Sequence, residues 1–181
     1  MGCFEDAHAF VARMEGGFVD DPADPGGTTN YGVSLRFLKS QGLEVGDIDG
    51  DGDIDADDIR ALTPERAAGV LRRAFWDVFP LDIVPGSLAL AVYDTAVNMG
   101  LRQAKKLAQK ALDIRADGIW GPLTWGTIRA CSDSKAAALA MVERRRERYA
   151  ALVRNNPALG KFSRGWENRL KALEKEIRSA S

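Results

Sequence analysis

A single histidine, two distant cysteines and no apolar run of bilayer length define this chain first by what they exclude. With His8 alone, neither a His-rich zinc site nor a Ser-His-Asp triad is expected. Cys3 and Cys131 have neither metal-ligand nor redox-motif spacing, so no disulfide framework is expected. The opening MGCFEDAHAF places acids where a secretory signal needs a basic start and an apolar run, and Asp6 stands where myristoylation needs Ser or Thr. These absences predict cytoplasmic synthesis without a signal peptide and no stable membrane insertion. A formal net charge of -1 lacks the basic surplus of a dedicated nucleic-acid binder.

What is present suits one ordinary globular unit. The 181 residues are 45% hydrophobic and 28% charged, enough to bury a substantial core, and a monomer is expected. Phe4, Ala7, Phe10, Val11 and Met14 recur at helical spacing, and Gly16 and Gly17 stop that helix just after Glu15. Thr63 and Pro64 cap a second helix, whose apolar stripe runs through Ala67, Val70, Leu71, Ala74, Phe75 and Val78. The segment 87–100 is apolar on nearly all sides, as a helix through the middle of a domain reads. Helical periodicity resumes from Leu101 to Leu112 and from Lys135 to Arg154, on either side of the turn-rich ADGIWGPLTW. A short hairpin fits between Phe18 and Val33, with Gly26 and Gly27 supplying its turn. The fold class is therefore mainly α, a helical bundle around a central buried helix, with a small β-hairpin.

The segment EGGFVDDPADPGGTTNYGVS, residues 15–34, departs from this apolar rhythm. Glu15 sits on the last turn of a helix, at the negative end of its macrodipole, which suits a general acid. Asp20, Asp21 and Asp24 follow and offer a second carboxylate of the kind glycoside hydrolysis needs. The plainer alternative is a solvated helix end followed by turn-forming aspartates.

The whole block closely resembles the N-terminal signature of the lysozyme-like muramidases of glycoside hydrolase family 108, in which the Glu-Gly-Gly glutamate is the catalytic acid and matches Glu15. The segment AFWDVFPLDIVPGSLALAVYDTAVNMG is similar to the family's central helices, ADGIWGPLTW to its C-terminal peptidoglycan-binding segment, and KFSRGWENRL to its closing helix. The resemblance implies an α+β lysozyme-like fold with the hairpin near the active site. It also implies a catalytic segment over 1–86 and a peptidoglycan-binding-like helical segment over 87–181, joined in one compact unit. Phage-type lysozymes follow Glu-x8-Asp-x5-Thr. Glu15 and Asp24 keep the first spacing, but the threonine position is Asn30, with Thr29 one residue early. The expected catalytic set is Glu15 with Asp24 and Thr29, and Asp21 is the competing carboxylate. Tyr31, Trp76, Tyr93 and Asn98 are candidates to stack on or hydrogen-bond to sugar, against the alternative that such aromatics are core. The implied reaction is hydrolysis of the β-1,4 bond between N-acetylmuramic acid and N-acetylglucosamine in peptidoglycan glycan strands.

A second motif, DIDGDGDIDADD, occupies 47–58 inside the segment 44–60. Asp47, Asp49 and Asp51 take positions 1, 3 and 5 of a twelve-residue calcium loop, and Gly52 takes the sharp-turn position. Asp53, Asp55 and Asp58 fall at 7, 9 and 12. The loop resembles an EF-hand and, with Asp58 last and Ile54 eighth, comes closer to a dockerin loop. It implies one structural Ca2+.

From Met141 to Ser181 eleven Lys or Arg face five Asp or Glu, a local net of +6. The RRRER run, 144–148, favours weak contact with anionic surfaces, or else pairs with neighbouring acids on a helix face. Two functional classes fit the sequence. One is a peptidoglycan hydrolase of the phage endolysin type that reaches the wall by holin-type or dedicated release. The other is an inert muramidase-like module that binds wall polymer or a protein partner.

Overall fold

In the computed structural model the described residues are 4–18 and 27–180. They are mainly helical, with one two-stranded antiparallel sheet, and fall into two compact units. One comprises residues up to Phe10 together with Phe79 onward, and the other Val11–Val78.

The larger unit is organised by a helix with no polar face. Helix α1 (Phe4–Glu15) contributes its first residues here. The centre is α6 (Gly86–Met99), in which every residue from Ser87 to Ala96 is buried. Around it pack α7 (Leu101–Ala111), α9 (Ser134–Asn155) and α10 (Ser163–Ser179). The single acid in the buried stretch of α6, Asp94, is held by two cations: Arg145 Nη1 donates to Oδ2, while Arg169 donates to Oδ1 from Nε at 2.9 Å and from Nη2 at 2.6 Å. Burial alone would push the Asp94 carboxyl up, but the two guanidiniums outweigh it and hold the group below the usual carboxylate range.

The turn-rich segment before α8 (Pro122–Arg129) is folded around a buried amide. Gln109 Nε2 donates to Asp117 Oδ1 and to the Ile119 carbonyl, both at 2.9 Å, and its Oε1 accepts from Gly118 N at 2.8 Å. A hydrogen bond from Ile119 N, then that from Gln109, keeps the Asp117 carboxyl low.

The smaller unit begins with the last turn of α1 and continues into β1 (Thr29–Asn30) and β2 (Val33–Ser34). The short helices α2 (Leu35–Ser40), α3 (Leu43–Gly46) and α4 (Ala56–Ala61) follow, and then α5 (Pro64–Leu71). Thr63 caps α5 by accepting from Arg66 N at 3.2 Å, and Pro64 lies in the first turn, as the sequence predicts.

Two expectations are corrected here. The hairpin exists, but its turn is Tyr31-Gly32 rather than Gly26-Gly27: Thr29 pairs with Ser34 and Asn30 with Val33. Positive φ at both turn residues, 48° and 80°, gives the two-residue loop that matches the twist of paired strands. Gly27 precedes the hairpin, and Gly26 lies outside the described residues. The stripe expected to run through Val78 also breaks. Beyond Leu71 the chain forms a π-turn over Arg72–Trp76, closed by Asp77 N donating to the Arg72 carbonyl at 3.0 Å. The extra residue in that turn rotates the following positions, so Phe75 and Trp76 are buried while Val78 is exposed.

Candidate active site

Glu15 ends α1, and its side-chain stem lies against the hairpin turn. A Cβ added to Gly32 would stand 2.8 Å from Glu15 Cγ and 3.2 Å from its Cβ. Only a residue without a side chain lets the turn approach the glutamate this closely. Oε1 of Glu15 is buried while the residue as a whole is half-buried, so the carboxyl is partly withdrawn from water. The hairpin is anchored on its other face. Asn30 is buried, and its Nδ2 donates to the Ile59 carbonyl of α4 at 3.1 Å. Turn, strand and α4 thus form one brace for the stem of Glu15. Gly32→Ala is expected to lower hydrolytic activity by about 10²-fold, the scale of an ångström-sized misplacement. The accompanying loss of stability is about 1–2 kcal/mol, the cost of a Cβ at left-handed φ. Reducing-end release and a melting curve on the same preparation measure the two effects.

The other expected site residues are placed as follows. Asp21 and Asp24 lie outside the described residues, as does Asp20. Thr29 is half-buried on β1, and its hydroxyl donates to the Gly27 carbonyl at 3.3 Å. Asn30, at the position where phage-type lysozymes carry threonine, faces inward as the brace. Tyr31 is half-buried in the turn, one residue from the glycine that touches Glu15. Trp76 and Tyr93 are fully buried and present no ring face to a sugar. Tyr93 instead meets His8, with its hydroxyl 3.0 Å from Nδ1, and burial pushes the His8 imidazole down. Asn98 is exposed near the end of α6 and accepts from the Tyr149 hydroxyl at 2.6 Å, which ties it to α9.

The aspartate loop lies between α3 and α4. Gly52 has φ +97°, the left-handed turn that its position in a calcium loop requires. The eighth residue, Ile54, packs so closely on Gly46 that a Cβ there would lie 2.5 Å from Ile54 Cδ1. Carboxylate oxygens converge in two groups that share Asp58: Asp47, Asp49 and Asp58 in one, and Asp53, Asp55 and Asp58 in the other, each within 4.8 Å. Asp51 joins neither group; its Oδ1 accepts from Asp53 N at 3.0 Å. Asp58 is buried and accepts from Ile48 N and Asp55 N, both at 2.6 Å, which draws the two ends of the loop together. The Asp53 carboxyl is pushed up chiefly by the charge of Asp51, and the Asp49 carboxyl by desolvation and by the charges of Asp51, Asp58 and Asp47. An all-oxygen donor set with mutual repulsion fits a hard divalent cation.

The basic run of α9 is largely committed to acids within the fold. Arg145 is buried on Asp94, Arg144 pairs with Glu147 at 2.9 Å, and Arg146 reaches Glu143, Glu167 and Glu174. Contact with an anionic surface through this run would have to displace those pairs. Among the described residues no helix is long and apolar enough to cross a membrane.

Comparison with known proteins places the geometry in context. Residues 8–100 match the family model described as Glycosyl hydrolase 108, and residues 99–171 match the one described as Predicted Peptidoglycan domain. Among solved structures, that of Brucella abortus SagA is 27% identical, covers 97% of this chain and 94% of its own, and superposes with a TM-score of 0.77. No curated protein matches. Since the first model takes in Glu15, the hairpin and the aspartate loop and spans half of the chain, the chain belongs to the glycosyl hydrolase 108 family and is a lysozyme-like peptidoglycan hydrolase.

Proposed function

We propose that the chain is an N-acetylmuramidase that cleaves the β-1,4 bond between N-acetylmuramic acid and N-acetylglucosamine, with Glu15 as general acid. The observation that carries this reading is the braced stem of Glu15, held at Cβ and Cγ by Gly32, within the part of the chain that matches the hydrolase family. A general acid must be held at a fixed distance from the oxygen it protonates, and a buried stem with a partly solvated carboxyl meets that need. Glu15 gives its proton to the bridging oxygen as the bond from the anomeric carbon breaks and oxocarbenium character develops. A water oxygen becomes the new anomeric hydroxyl, and its proton passes to a carboxylate. Asp24 and Asp21 are the candidates for the second carboxylate, with Thr29 on β1 as a candidate to position water. Tyr31, adjacent to Gly32, is the aromatic candidate best placed for a sugar near Glu15. Muramic-acid reducing ends released from purified peptidoglycan, identified by mass spectrometry, test the bond specificity. Glucosamine ends would refute it.

The aspartate loop binds one Ca2+ as a structural ion in this reading, supported by the two carboxylate groups that meet at Asp58. With free calcium at a hundredfold excess over Kd, folding gains about 2.7 kcal/mol, so the melting temperature rises on adding calcium and falls in chelator. Asp49→Ala removes one oxygen donor while leaving Asp58 to hold the loop backbone, and it should blunt that response. Calorimetry showing no calcium binding to the wild type would sink the assignment.

A further inference from the structure

The larger unit carries a groove of about 400 Å³ between the C-terminal half of α9 and the start of α10. Its floor is aliphatic: Ala150, Val153 and Leu170 line it. One wall is Trp166, stacked on Tyr149 with ring centroids 4.4 Å apart and planes 10° from parallel. The groove lies within the 99–171 segment that matches the peptidoglycan model, yet no residue described above as part of the active site lines it.

We infer that this groove holds the short peptide of peptidoglycan rather than its glycan. The choice follows from which polar groups remain available. Arg146, at the groove, is already occupied by Glu143, Glu167 and Glu174, and its guanidinium is held more firmly protonated by them. Arg154 also lines the groove but forms no ion pair among the described residues, and the hydroxyl of Ser163 stands there as a further donor. An uncommitted guanidinium with a hydroxyl donor suits a carboxylate. A pyranose would bring several hydroxyls against Ala150, Val153 and Leu170, where they would lose water without gaining partners. It would also want an open ring face, whereas the Trp166 indole is stacked on Tyr149 and has a second aromatic neighbour in Phe162, with centroids 5.9 Å apart and planes at 32°. A wall peptide has the complementary character. Its alanine methyls and the methylenes of its diamino acid match the aliphatic floor, and its free carboxylates match Arg154.

Groove binding would act as a second grip on the polymer that Glu15 cuts, so the inference rests on peptidoglycan being the substrate. The test is titration of the full chain with synthetic L-Ala-γ-D-Glu-meso-diaminopimelate-D-Ala, followed by Trp166 indole NMR shifts, with chitotetraose as the sugar probe. The wild type should bind the peptide, and chitotetraose should leave the Trp166 signal in place. Arg154→Glu, at an exposed position where the fold is not at stake, should weaken peptide binding by at least about tenfold. Arg154→Lys should recover part of it. Absence of peptide binding to the wild type, equal binding by Arg154→Glu, or a Trp166 shift with the sugar would each overturn the proposal. Reducing-end release by the wild type separates this reading from the one beneath it. Release without peptide binding refutes the groove alone, whereas peptide binding without release refutes the muramidase and leaves the groove standing.

Discussion

Glu15→Gln is expected to reduce the release of muramic-acid ends by about 10²- to 10⁴-fold while leaving the melting temperature within a degree of the wild type. The two halves of that expectation have separate causes. Glutamine keeps the Cβ and Cγ that lie against Gly32, so the contact between turn and helix survives. It cannot give up a proton to the glycosidic oxygen, so the leaving group departs as an unprotonated alkoxide and the barrier rises. Because the side chain keeps its size and its hydrogen-bonding capacity, substrate binding changes little and the loss falls on kcat rather than on KM. Glu15→Asp gives a sharper geometric test. With the stem fixed by Gly32, removing one methylene withdraws the acid by more than an ångström and should cost about 10²-fold even though a transferable proton is present. Wild-type protein that binds sacculi but releases no ends would identify the chain as a recognition module. Equal release by wild type and Glu15→Gln would move the acid to another residue.

The parts of this site that were legible in the sequence are those specified by local spacing. The helix stop after Glu15, the cap at Thr63 and the left-handed turn at Gly52 all depend on residues within a dozen positions of one another, and the structure places them accordingly. What was hidden depends on partners far along the chain. Asn30 reads as a failed threonine, because its partner, the Ile59 carbonyl, lies 29 residues away and carries no side-chain signal. The position of the hairpin turn is hidden because a Gly-Gly pair is a stronger compositional cue than Tyr-Gly, and the left-handed φ of Tyr31 is imposed by strand pairing. For Trp76 and Tyr93 the sequence leaves sugar contact and core both open, because an aromatic side chain reveals its burial only once the core is assembled. One distant contact did leave a trace: an aspartate in a helix without a polar face demands a cation. The basic run 144–148 supplies one, although as a sequence it suggests a solvated surface.

Asp94→Asn should accordingly be the most destabilising conservative change in the larger unit. It leaves two guanidiniums without the carboxylate they share, and Arg145 Nη2 is already buried without a hydrogen-bond partner among the described residues. Removing one member of a buried ion cluster costs about 3–5 kcal/mol. At about 2–4 °C per kcal/mol for a chain of this size, the melting temperature drops by roughly 10 °C. The pH dependence distinguishes an electrostatic cause from a packing one. Arg145 and Arg169 hold the folded-state carboxyl of Asp94 below its unfolded value, so the folded state binds this proton less readily than the unfolded state does. The contribution to stability is therefore complete above the unfolded value of about 3.9 and is lost as pH falls through the lower folded value. The gap between wild type and Asp94→Asn should stay constant from pH 5 to 8 and narrow below about pH 4. A pure packing defect would keep the gap at every pH. The triple change Asp94→Leu, Arg145→Met and Arg169→Met offers a complementary check: it replaces all three charges by apolar side chains and should recover part of the loss, since the penalty lies in the uncompensated charge. Thermal melts of the three proteins between pH 3 and 8 measure both effects, and a triple variant no more stable than Asp94→Asn would show that the cluster acts through its shape instead.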